Sequence, residues 1–196
     1  MALDLLPDFI RASYEVHEWR HACAILKKDF PSEWKDIIEV LSEFRLRRSD
    51  IETPGGGKSP IAKIIDEGFM KRGWVEKGFA TKVVIDSRER DSPTHEVDCY
   101  KNRIALEIEW NNKDPFFDRD LNNFRLLFEL HAISVGTIVT RCDELQEIFN
   151  KLGKGSSYGP STTPMSKLLP RIEGGGGGGC PVLVFGISKR LYMEGE

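Results

Sequence analysis

The sequence predicts a mixed α/β (α+β) protein, one β-sheet flanked by helices with extra helices at the N-terminus. Two observations point there. Helical and extended segments follow one another as three helices and then β-β-β-α-β-α-α-β. The run from Arg103 to Trp110 alternates apolar and polar side chains, the signature of a strand with two different faces. With 196 residues, 40% of them hydrophobic, the chain can bury a proper core. It reads as a single domain over 1–196, with a helical part at 1–50 and a core with its loops at 51–190.

Helix-like spacing runs from about Phe9 to Leu26, and Pro31-Ser32 opens a second helix reaching about Arg47. After the loop Thr53–Lys58, Ser59 caps a third helix with Pro60 in its first turn. Its stripe is Ile61, Ile64, Ile65 and Phe69, and it ends at Gly73. Residues 74–86 are extended, most strongly over Lys82–Ile85. His95–Tyr100 and Arg103–Trp110 form a hairpin about a turn at Lys101-Asn102. A helix over Asp118–Ala132, a buried strand over Ser134–Thr140 and a short helix over Asp143–Leu152 follow. Then come a polar loop at Gly153–Pro164, a helix at Met165–Ile172, six glycines at Gly174–Gly179 and a closing strand, Pro181–Ile187.

No stretch approaches the roughly 18 apolar residues of a membrane span. The first eight residues carry acid where a signal peptide has basic charge, so the expected location is the cytoplasm. Cys23, Cys99, Cys142 and Cys180 are too far apart in sequence for a Cys-x-x-Cys pair and read as reduced, buried thiols. The formal net charge is −3, yet between Lys151 and Met193 six basic residues face a single acid, Glu173. An acidic body with a basic last quarter suits a polyanionic partner; a locally basic solvated face is the plainer alternative.

The chemistry concentrates on the alternating run. Ile104, Leu106, Ile108 and Trp110 point one way; Ala105, Glu107 and Glu109 point the other. With the turn at Lys101-Asn102, Asp98 falls opposite about Ala105 and diagonal to Glu107. Three carboxylates so close repel, unless one keeps its proton or a divalent cation neutralises them. Oxygen ligands of this kind suit a hard ion such as Mg²⁺. The plain alternative is a solvated sheet face with acids at alternate positions, although no Lys or Arg separates Glu107 from Glu109.

Asp98, the step of nine to Glu107, and Ile108-Glu109 resemble the PD-(D/E)xK nuclease pattern. More narrowly, His95–Arg141 is similar to the BglII/BstYI-like type II restriction endonucleases. Ser59-Pro60, Gly73-Trp74, Gly155–Tyr158 and Pro181–Ile187 extend that resemblance over about residues 50–190. It implies a restriction-endonuclease-like fold and a homodimer that cuts both strands of a palindromic duplex DNA site with Mg²⁺, for which Mn²⁺ can substitute. A GATC-centred site and a cognate methyltransferase that protects host DNA belong to the same implication. Asp98, Glu107 and the backbone carbonyl of Ile108 would bind metal. Glu109 stands where most of these enzymes have Lys and the BglII type has Gln, while BamHI-like enzymes use Glu; a second metal or a general-base role follows.

Asn111, Asn112, Lys113, Ser156, Ser157 and Tyr158 offer donors and acceptors to base edges, and Lys58, Lys154, Lys189 and Arg190 offer charge to phosphates. The glycine run is either a linker or a backbone that approaches DNA closely. His17-Glu18-Trp19-Arg20-His21 matches the H-E-x-x-H of zinc peptidases if it is helical. Gly57-Lys58-Ser59 resembles the end of a phosphate loop, but Glu52 stands where its first Gly belongs. The rivals to a restriction enzyme are therefore another PD-(D/E)xK nuclease of junction-resolving or repair type, a non-enzymatic DNA-binding module, and a zinc peptidase.

Overall fold

The computed structural model describes residues 2–53, 57–91 and 94–195. Part of the predicted Thr53–Lys58 loop, Pro54, Gly55 and Gly56, lies outside these residues.

The N-terminal part comprises α1 (Asp8–Ser13), β1 (Tyr14–Trp19), α2 (Ala22–Asp29), α3 (Pro31–Glu43), β2 (Leu46–Arg47) and α4 (Arg48–Glu52). Next come α5 (Pro60–Met70), β3 (Val75–Lys77), β4 (Lys82–Ile85), β5 (Arg88–Asp91), β6 (Val97–Lys101) and β7 (Ile104–Ile108). The chain closes with α6 (Pro115–Glu129), β8 (Val135–Arg141), α7 (Leu145–Lys151), α8 (Met165–Glu173), β9 (Val182–Ile187) and β10 (Tyr192–Met193). A six-stranded sheet in the order β1-β9-β8-β7-β6-β3 organises them. β7, β8 and β9 are parallel neighbours, whereas β1, β6 and β3 join antiparallel to their partners.

β7, β8 and β9 are buried at every position, because helices cover both faces of the sheet. On one face Ile104, Leu106, Ile108 and Trp110 join the α2, α3 and α5 side chains. On the other, Ala105, Ile138 and Val184 meet Phe117, Leu121, Phe124 and Leu127 of α6 and Leu168 of α8. Gly136 of β8 lets α6 come close, since a Cβ there would stand 2.3 Å from the Phe124 ring.

Four local expectations are corrected. The predicted helix at Phe9–Leu26 is broken by β1, whose residues pair one for one with β9 from Tyr14↔Ile187 to Trp19↔Val182. Six residues are too few for periodicity to separate strand from helix, and the open edge of β9 decides. The motif His17–His21 therefore lies on a strand and a turn, with Arg20 and His21 both at positive φ. Glu18 is buried and accepts from the N–H of Cys23 (3.1 Å), while His17 contacts Glu15 (2.8 Å). Without the helix that aligns two His on one face, the zinc-peptidase reading falls.

Lys82–Ile85 is not part of the main sheet; it forms a separate exposed hairpin with β5. The β6–β7 turn is at Asn102-Arg103, both at positive φ, one residue later than predicted. Tyr100, not Asp98, is therefore the residue opposite Ala105. The six glycines form a hydrogen-bonded turn rather than a linker, with Gly176 N–H donating to the Arg171 carbonyl (2.9 Å). They precede Val182, at the opposite end of the parallel strands from Glu109, so they do not approach the acidic residues.

Candidate active site

The site forms where β6 and β7 part company. Their ladder runs from Lys101↔Ile104 to Cys99↔Leu106. One step further, side chains replace the backbone pairing. Asp98 Oδ2 accepts from the Ile108 N–H (2.9 Å), and Glu107 Oε2 accepts from the Asp98 N–H (3.2 Å). Beyond Ile108 the Glu109 N–H donates to the Val139 carbonyl (2.8 Å), which keeps β7 anchored to β8.

Glu107 and Glu109 share the face turned to α6, and each is only 1% exposed. A solvated acidic face is thereby excluded, and with it the rival that needed solvated acids. Opposite them on α6 stands Asp120, fully buried. Glu109 accepts from Asn112 Nδ2 (2.8 Å) and lies 3.4 Å from Arg119 Nη2, which also holds Asp120 at 2.8 Å. Glu107 Oε1 and Asp120 Oδ2 have no hydrogen-bond partner among the described residues.

Burial raises the Glu107 carboxyl well above its ordinary range, and the charges of Asp120 and Asp98 add to the effect. Burial and then Asp120 push Glu109 up to about 9. Asp120 is raised by burial despite Arg119 beside it. One guanidinium among three sealed acids is too little positive charge for all of them to ionise. The orphaned Glu107 oxygen and the all-oxygen donor set fit a hard divalent cation. Among the described residues no group of three or more His, Cys, Asp or Glu is placed to hold a metal ion as it stands, so the carboxylates must shift to hold one.

Asp98 is the acid that reaches solvent, its side chain 26% exposed, and it lines a cleft of 710 Å³. Lys58, just before the Ser59 cap of α5, pairs with Asp66 and lies 3.6 Å from Asp98. Burial alone would lower the Lys58 ammonium, but those two carboxylates outweigh it and raise it.

The cleft also brings in Asn111, Asn112, Lys154, Ser157 and Tyr158. Tyr158 is 7% exposed and stacks on Phe149 at 4.0 Å, with its hydroxyl 3.4 Å from Trp110 Nε1, so its ring belongs to the wall. Lys113 and Ser156 are exposed outside the cleft lining, Lys113 bridging to Thr162. Lys189 lies 3.6 Å from Glu144, and Arg190 lines a separate hollow beside β1. In the basic last quarter, Arg171 is likewise paired, with Asp118 (2.9 Å) and Asp114 (3.6 Å).

Three residues of the site went unread in the sequence: Arg119, Asp120 and Arg141. Asp120 had a signal, an acid on the apolar stripe Phe117, Leu121, Phe124, Leu127. Arg141, 1% exposed, ends β8 beneath the 153–164 loop and donates to the Tyr158 carbonyl (3.2 Å) and to Thr162 Oγ1. Its guanidinium lies over the rings of Phe149 (5.4 Å) and Tyr158 (5.7 Å). Burial lowers it to about 10.

Comparison with curated proteins finds no match. A family profile described as restriction endonuclease BglII/BglIII matches residues 14–187, most of the chain and every acid of the site. The fold, a mixed sheet flanked by helices, is that of restriction endonucleases, and the family acts on DNA as a nuclease. The chain belongs to the BglII/BglIII restriction endonuclease family.

Proposed function

We propose that the protein is a type II restriction endonuclease, a homodimer that cuts both strands of a short palindromic DNA site with Mg²⁺ or Mn²⁺. A GATC-centred site, a cytoplasmic location and a protecting methyltransferase complete the reading. The observation that carries it is the row of under-neutralised acids, Glu107, Glu109 and Asp120, adjoining Asp98 at the mouth of the cleft.

Asp98, Glu107 and the Ile108 carbonyl would hold the ion. When bound, it supplies a more acidic water and charge that stabilises the phosphorane-like transition state. The residues of the chain do the positioning. Asn112 and Arg119 fix the Glu109 carboxylate, which would take the proton of the attacking water once cation charge has ionised it. Trp110 and Tyr158, backed by Phe149, wall the cleft and limit bulk water there. Lys58, Asn111 and Ser157 face the substrate side.

The test is incubation with plasmid and with linear DNA in the presence of Mg²⁺, with an EDTA control. Discrete fragments with defined ends are expected. Cutting that needs no divalent ion, or that follows branched structure rather than sequence, would refute the reading.

A further inference from the structure

Between β3 and β6 the chain leaves the sheet as the β4–β5 hairpin, every residue of which is exposed. Lys82 pairs with Asp91, Val83 with Arg90, Val84 with Glu89 and Ile85 with Arg88. Directly paired residues share a face. Val83, Ile85, Arg88 and Arg90 therefore lie on one side, and Lys82, Val84, Glu89 and Asp91 on the other. The second side compensates itself, with Lys82 Nζ 3.0 Å from Glu89. The first holds two guanidiniums and no acid, and neither the Arg88 nor the Arg90 side chain has an ion pair or hydrogen bond among the described residues.

The position of the hairpin matters as much as its charge. The last β3–β6 pair is Lys77↔Val97, one residue before Asp98. Thr94 Oγ1 closes the root by accepting from the Phe79 N–H (3.2 Å) and donating to the Phe79 carbonyl (2.7 Å). The arm thus springs from the end of the sheet that carries the acids. The cleft itself is lined by three lysines (Lys58, Lys63, Lys154) and three acids (Asp50, Glu76, Asp98), so it offers a polyanion no net attraction.

We propose that the Val83/Ile85/Arg88/Arg90 face grips the phosphate–sugar backbone of duplex DNA beside the cleft, an inference that rests on the DNA-cleaving reading above. Arginine forks match phosphate oxygens two at a time, and the short apolar side chains between them suit the sugar edge. The tight turn at Asp86-Ser87, both at positive φ, presets the arm's shape. A second copy of the chain is the poorer occupant. The face falls far short of the roughly 20–30 residues a side of a stable interface. A two-fold contact would also set the same arginines against each other.

The experiment is anisotropy of a labelled linear duplex titrated with the full chain over a range of KCl concentrations, without divalent ion. The R88A/R90A variant should flatten the slope of log affinity against log salt by about 1.8, since each lost phosphate contact removes about 0.9. Preference between duplex sequences should stay the same, and R88K/R90K should recover most of the slope. The charge-neutral K82A/E89A change on the other face should leave it unaltered. An R88A/R90A slope equal to that of the unaltered protein, with duplex binding intact, overturns the arm alone. Absence of salt-dependent duplex binding in the unaltered protein overturns the DNA reading and the arm with it. A smaller assembly for R88A/R90A by size-exclusion chromatography, at unchanged slope, assigns the face to self-association instead.

Discussion

Asp98 and Glu107 each take the other strand's place in the ladder. The Asp98 N–H donates to the Glu107 carboxylate at 3.2 Å, and the Asp98 carboxylate accepts from the neighbouring Ile108 N–H at 2.9 Å. The strands are held apart by the groups that the proposed chemistry needs, so backbone separation and acid placement are one event. Each bond uses one carboxylate oxygen, Asp98 Oδ2 and Glu107 Oε2, which leaves the second oxygen of each acid for a cation.

Replacing Glu107 by Ala should abolish cleavage while leaving duplex binding largely intact. Lost metal charge is worth several kcal/mol, and each 1.36 kcal/mol is tenfold, so the single-turnover rate should fall on the order of a thousandfold. Near wild-type cleavage by Glu107→Ala would mean the metal site has been misplaced.

Glu109→Gln separates two roles. As a base or second-metal ligand, Glu109 cannot be replaced by an amide, and most activity should go. Single-turnover cleavage across a Mg²⁺ titration decides; an unchanged rate with unchanged metal dependence would leave Glu109 orienting water only.

Metal-free stability should fall as pH rises. Glu109 moves from an ordinary 4.5 to about 9 in the fold, so between those values the folded chain holds a proton that the unfolded chain has lost. Its stabilising contribution is whole below 4.5 and is lost as pH climbs through about 9. Melting curves in EDTA should show this decline, Glu109→Gln should lessen it, and added Mg²⁺ should stabilise more at pH 8.5 than at pH 6, because cation and proton compete for the same carboxylates. An equal Mg²⁺ effect at both pH values would count against metal binding at these acids.

Arg141→Met should cost about 2–3 kcal/mol in stability, through lost hydrogen bonds to the 153–164 loop and lost ring contacts. Duplex affinity should weaken too, since that loop supplies Lys154 and Ser157 to the cleft. Denaturant unfolding together with anisotropy would measure both.

Gly136→Ala drives a methyl into the Phe124 ring, with the built Cβ 2.3 Å away, and α6 must shift. A loss of about 1–3 kcal/mol is expected by urea titration. Because α6 also carries Arg119 and Asp120, cleavage should decline with stability.

The acid pair was legible because a two-sided buried strand still alternates when one of its faces holds carboxylates, as Ala105, Glu107 and Glu109 do. The Ser59 cap was equally legible: its hydroxyl accepts from the Ala62 N–H at 3.1 Å. What escaped was long-range. Tyr14–Trp19 becomes a strand only because β9 offers it an edge. The one-residue shift of the Asn102-Arg103 turn depended on φ values that neither side chain announces. Arg141 looked like any charged residue ending a strand, and only the rings and the hydrogen-bond acceptors of the folded loop explain its burial.

The N-terminal region is also sewn to the other end of the chain. β1 runs along β9, β2 pairs with β10 through Tyr192↔Leu46, and Ser188 Oγ donates to the Ser13 carbonyl at 2.7 Å. Cutting away residues 2–50 to obtain a minimal nuclease would strip β9 of its neighbour and leave a bare row of amides and carbonyls beside Val182, Val184 and Phe185. Such a fragment would polymerise edge to edge before it could be assayed. The tempting boundary at residue 50 is therefore a seam that cannot be opened, and an expression trial that shortens the chain should keep α1, whose Ile10 is fully buried, together with β1.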